Sequence, residues 1–203
     1  MSSWGKSNYE FLTVAVVCLI LAAIVLGIAL NNVQKERFRV FRYNAKTVGI
    51  NAINYEARNS DSIVYLYELI NDNLVTEVKN NFSGDEFCDY YQSKVEFVGD
   101  KKLVTLKCGK YLIYKQDVTL EDYSIYKVSD WSFDKVSGDN IDVTTVYSLK
   151  MNGDTLLSGY YEKDLFIKLV ASNFGKKYNS LDKIEKDYDV VSKKAYRKRV
   201  LVD

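Results

Sequence analysis

Between Glu10 and Lys35 the chain carries no charged residue, and the stretch from Phe11 to Leu30 inside that interval is almost wholly apolar. Wound as a helix, the uncharged interval is about 36 Å long, enough to cross the hydrocarbon core of a bilayer. A run of this kind near one end of a chain is either a secretory signal or a membrane helix. A signal has an apolar core of about 7 to 15 residues and ends at small residues before a cleavage point. Here the core is longer, and it exits through Asn31-Asn32-Val33-Gln34-Lys35-Glu36-Arg37, which reads as a helix leaving the membrane. The reading is one membrane-embedded helix that tethers whatever folds beyond it. Cys18 lies inside the run behind Val17, where a lipid-attachment cysteine would follow a small residue and an apolar run, so it reads as a packed membrane residue.

About 170 residues remain after the anchor, enough for a single core. The net charge of +1 gives no overall field that would favour nucleic acid. Histidine is absent, which removes the commonest general base and metal ligand. Ser, Asp and Lys are plentiful, but none falls in a catalytic motif. The sequence therefore predicts no enzyme, no cofactor and no metal site.

Gly5-Lys6-Ser7-Asn8-Tyr9-Glu10 precedes the run and sets an acid directly against it. This arrangement resembles the N-terminus of type IV pilins and type II secretion pseudopilins, in which a short leader ends in glycine and the fifth mature residue is glutamate. The resemblance implies that Gly5 ends the leader, that Lys6 becomes the N-terminus after a prepilin peptidase cuts, and that Glu10 is the assembly glutamate. In an apolar filament core a lone carboxylate is costly unless paired, and the freed ammonium of a neighbouring subunit is its natural partner. The family usually has phenylalanine or methionine after the cut, where this chain has Lys6. The other reading is an interfacial cluster, with Tyr9 and Lys6 anchoring an uncleaved helix at the headgroups and Glu10 in water.

Beyond the membrane, Phe38, Phe41, Ala45, Val48, Ala52 and Tyr55 recur at spacings of three and four. They form the apolar stripe of a helix that continues to about Ala57. Gly27, the helix-weakening residue inside the apolar run, falls close to where pilins often carry a helix-breaking proline. A polar break at 58–62 follows, with Asp61 or Ser62 predicted to cap a short helix through Leu66, Leu69 and Ile70 to Asn73. The order from Tyr65-Leu66-Tyr67 through Asn80-Asn81-Phe82 to about Gln116 resembles the helix-to-sheet passage of Gram-positive pilin-like proteins. Lys94–Val98 and Leu103–Lys107 alternate around a turn and predict a hairpin.

Cys88 and Cys108 bracket that segment. Bonded, they would tie the connecting loop to the hairpin, worth roughly 3 kcal/mol in the loop-entropy model, and would place the head in an oxidising compartment. Two unrelated thiols are the alternative. Lys35, Arg37, Arg39, Arg42 and Lys46 after the anchor outnumber the positive charge before it, so the positive-inside rule argues for a cytoplasmic head. The cysteines and the pilin likeness argue for an extracytoplasmic one, and the reading sides with them.

Further strands are expected at Tyr111–Lys115, Tyr123–Val128 and Val143–Met151, and, after an Asn152-Gly153 turn, at Thr155–Tyr161, arranged as an antiparallel meander. Asp130, Asp134, Asp139 and Asp142 could offer oxygens to calcium, but their spacing is irregular and they read as solvated turn acids. A helix at Tyr161–Phe174 stopped by Gly175 leads to a final strand at Arg197–Val202. The basic cluster Lys193, Lys194, Arg197, Lys198 and Arg199, with Tyr196 among them, has a chemistry suited to DNA. A solvated edge strand blunted by lysines accounts for it better.

The sequence thus predicts an α+β protein: residues 1–5 a leader, 6–57 a membrane and amphipathic helix packed on an antiparallel sheet, and 58–203 an extracytoplasmic head with an added C-terminal helix and strand. By resemblance its partners are itself and other pilin-like subunits in a filament serving secretion, DNA uptake or adhesion. The alternative is an uncleaved single-pass protein whose outer domain binds a wall or protein partner.

Overall fold

The computed structural model describes residues 4–84 and 86–203, with side chains described from residue 11 onward. The chain has no proline, so nothing interrupts the backbone ladder of α1, which runs Trp4–Asn59. It ends where Ser60 turns to a positive φ of 54° and its N–H donates to the Glu56 carbonyl at 2.7 Å. Two compact units divide the chain at Phe41/Arg42. In the first, the apolar segment of α1 is long enough to span a membrane and is uncovered throughout. Arg39 pairs with Glu36 one turn before it.

In the second unit, the last part of α1 buries Ala45, Val48 and Ala52 completely, the stripe that its spacing predicts. Gly49 lies among them. A β-carbon there would stand 2.5 Å from a methyl of Val118, so the glycine permits close approach of helix and loop. Gly49→Ala should cost about 1 to 3 kcal/mol through overpacking, although alanine is the better helix former. Thermal melts of the two proteins check it, and an unchanged or raised midpoint would contradict this packing. Arg42 donates to the Tyr123 carbonyl at 2.8 Å and to Asp203 at 2.9 Å. This member of the basic group after the anchor thus has a structural role in the head that is independent of membrane orientation.

The head sheet comprises β1 (Ile63–Tyr65), β2 (Lys94–Val98), β3 (Lys101–Cys108), β4 (Tyr111–Asp117), β5 (Ile125–Val128), β6 (Ile141–Met151), β7 (Asp154–Tyr161) and β8 (Asp189–Leu201). All pairings are antiparallel, in the order β1-β2-β3-β4-β5-β8-β6-β7. Helix α2 is Leu66–Asn71, α3 Lys163–Phe174 and α4 Leu181–Ile184. The β6–β7 turn places both Asn152 and Gly153 at positive φ, 53° and 89°, the primed turn that their dipeptide predicts.

Several expectations are corrected. Residues 63–65 form a strand, and α2 starts only at Leu66, where the Glu68 carboxylate accepts the Tyr65 N–H at 2.9 Å instead of Asp61 or Ser62 capping an earlier helix. The sheet is not a meander, because the last strand returns to its middle. Residues Asp189 to Lys198 of β8 pair with β6, and Arg199 to Leu201 pair with β5. The basic cluster therefore lies on an interior strand and not on an edge; β1 and β7 are the edges. Alternation along β8 buries Ala195 and Arg197 and leaves Lys194 and Lys198 exposed. A second core cluster joins α3, α4 and β6 through Phe166, Val170, Ile184, Tyr178 and Leu149.

The Cys88–Cys108 disulfide is formed. It clasps the irregular segment that follows α2 to the end of β3, where Cys88 N–H also donates to the Val78 carbonyl and Asp89 N–H to that of Lys107, both at 2.8 Å. Cys18 is free and exposed on α1.

Candidate functional site

The period of two along a strand gives the β1–β3 sheet two unlike faces. Val64, Val95 and Val104 lie on one and are fully buried in the apolar core. Tyr65, Lys94 and Thr105 pair across the other face, with Glu96 two residues beyond Lys94. Those residues are also largely enclosed, because β6, β7 and the start of α3 supply a second wall. Between the walls lies a cleft of about 370 Å³, within the roughly 300 to 1,000 Å³ common for ligand pockets.

Six of its charged groups are paired with one another, and Lys163 and Asp164 line it at exposed positions. Lys94, 8% exposed, donates to Glu162 at 2.6 Å and stands 3.6 Å from Glu96. Lys115 reaches the other oxygen of Glu96 at 3.1 Å. Across the cleft Arg197, 4% exposed, donates to Asp142 at 3.0 Å. The register of β6 with β8 sets that contact directly, since Asp142 and Arg197 are opposed residues. Asp142 is thus a buried ion-pair partner and not a solvated turn acid. Among the described residues no three His, Cys, Asp or Glu side chains come together as a metal cluster.

Aromatic rings complete the lining. The Arg197 guanidinium lies 4.3 Å from the Trp131 ring centroid, and the Trp131 indole N–H donates to Gln92 at 2.8 Å. Tyr160 gives its hydroxyl proton to the Trp131 carbonyl at 3.1 Å. Arg197 thus holds the Trp131 ring against the sheet. The Tyr65 hydroxyl is buried without a hydrogen-bond partner. Burial first, and then the carboxylates of Glu162, Asp164, Glu68 and Glu96, hold its phenol well above the usual tyrosine range, so it stays protonated at any physiological pH.

The sequence points to no cleft here, although Asp142 and Arg197, read there as a turn acid and a member of the basic cluster, both line it. Lys94-Val95-Glu96-Phe97 carries the one local signal, charged residues alternating with apolar ones in a strand enclosed on both faces. Glu162 and Arg197 come from far along the chain, and local spacing could not assign them.

Of the sites the sequence does predict, Cys88 and Cys108 are brought together. Gly5, Lys6 and Glu10 fall on the first turns of α1, and their side chains lie outside the described residues. Comparison with known proteins gives no match to a family model, a curated protein or a solved structure.

Proposed function

We propose that the chain is a non-catalytic, membrane-anchored extracytoplasmic protein whose N-terminal helix also serves as an assembly element, in the manner of a pilin or pseudopilin subunit. The observation that carries this reading is α1: a single helix with an uncovered apolar segment at one end and a buried stripe in a disulfide-bonded head at the other. An uncovered surface of this length needs an apolar surrounding, which lipid supplies before assembly and neighbouring helices supply within a filament. The disulfide supports an oxidising location for the head.

Glu10 separates assembly from anchoring. In a filament its carboxylate would lie among apolar helices opposite a neighbour's ammonium, and breaking such a buried pair costs about 3 to 5 kcal/mol. At a headgroup interface the charge is hydrated and its loss matters little. Glu10→Ala should leave the protein in the membrane at parental level, because insertion depends on residues 11–30, yet abolish cross-linked or sheared oligomers. Glu36→Ala, beyond the apolar run, should assemble like the parent. Unchanged oligomer yield in Glu10→Ala would favour the second reading, an anchored domain that binds a wall or protein partner, which the enclosed cleft supports.

A further inference from the structure

We infer that the cleft between β2–β4 and β6–β7 binds an uncharged polyhydroxylated ligand, a chain of neutral pyranose sugars. The charges decide the class. Lys94 is engaged by Glu162 and Glu96, Lys115 by Glu96, and Arg197 by Asp142. A ligand with net charge that reached these groups would have to displace one member of a pair and leave the other uncompensated, while Lys163 and Asp164, exposed at the start of α3, also line the cleft and together add no net charge. An uncharged ligand meets those pairs intact and can still bond to them, because a carboxylate engaged by one or two lysines keeps acceptor capacity and an ammonium keeps donors.

The rings decide the shape. Tyr91 and Tyr160 line the cleft while remaining 42% and 37% exposed; Tyr160 stacks on Phe133 at 5.4 Å between ring centroids and Tyr91 meets Tyr67 and Tyr161 at 5.5 and 5.9 Å, so part of each ring stays open to a ligand. Trp131 and Tyr114 also line it, with Arg197 and Arg199 over their rings. Flat aromatic faces beside hydroxyl-binding groups match a sugar ring, which has an apolar C–H face and a polar edge. Thr105, Thr144 and Gln92 add uncharged donors and acceptors. Anchored, non-catalytic binding of a glycan requires no residue of α1, so the inference stands apart from the assembly role proposed above: a chain that failed to assemble would still bind.

The test uses the full chain in a detergent that carries no sugar headgroup. The protein has two tryptophans, and Trp4→Phe leaves Trp131 as the sole indole. Its emission is followed during titration with two neutral probes, a tetramer of β-1,4-linked N-acetylglucosamine and maltotetraose, and with a galacturonic acid tetramer as the charged counterpart. A saturable change with one or both neutral probes, and a weaker one with the acid, is expected. Preference for the N-acetylglucosamine chain would point to a cell-wall source, and preference for maltotetraose to a free glucan. Tyr91→Ala and Tyr160→Ala, both at exposed positions, should each weaken binding by about tenfold, whereas Tyr43→Ala on α1 should not. Absence of saturation with both neutral probes, tighter binding of the acid, or parental affinity in both tyrosine variants would overturn the inference.

Discussion

Replacing Arg197 by alanine is expected to lower the stability of the head by about 3 to 5 kcal/mol, one of the largest single-residue effects in the chain. Its side chain is almost wholly enclosed, its Nε donates to Asp142 at 3.0 Å, and its guanidinium packs on Trp131. Removal would leave the Asp142 carboxylate buried with only Arg199, 3.4 Å away, to compensate it. That remaining contact should hold the loss toward the lower end of the range. Arg197→Met combined with Asp142→Leu should cost less than Arg197→Ala, because the buried pair is replaced as a unit and only the contact of the more exposed Arg199 is lost. Urea denaturation of the parent and the two variants checks the order, and equal losses in the single and double variants would show that the pair is not electrostatically coupled.

Loss of the Cys88–Cys108 bond should cost about 2 to 5 kcal/mol. Regular structure is sparse between α2 and β2, where the bridge between Lys79 and Phe87 is an isolated one. In the loop-entropy model the bond stabilises by closing residues 88–108 into a loop in the unfolded ensemble. Thiol labelling of denatured, unreduced protein should modify Cys18 alone, and the Cys88→Ala/Cys108→Ala variant should melt well below the parent. Modification of all three cysteines in exported protein would contradict both the bond and the oxidising location.

Local pattern made much of this fold legible. The uncharged run announces the apolar helix, the stripe through Ala45, Val48 and Ala52 announces its buried continuation, and the hairpins follow from Gly99-Asp100 and Asn152-Gly153. Pairing across long sequence distance was not legible. Nothing near Arg197 says that its strand would insert between β5 and β6, so its basic neighbours read as a blunted edge. The same limit hid the cleft, because Lys94 acquires its partner Glu162 from 68 residues away and Asp142 meets Arg197 only through the β6–β8 register. Tyr65 shows the effect in reverse. Its neighbours Leu66, Leu69 and Ile70 carry helical spacing, yet pairing with Lys94 draws residues 63–65 into the sheet.

The proposed pilin-like subunit, with the cut after Gly5 that the resemblance implies, is tested most directly by the intact mass of the protein recovered from the outer face of the cell. The account predicts a chain that begins at Lys6, lighter than the full sequence by Met1 to Gly5, and lighter by a further two hydrogens from the Cys88–Cys108 bond. A mature protein that still carries Met1 and gains those two hydrogens' worth of free thiol would contradict it.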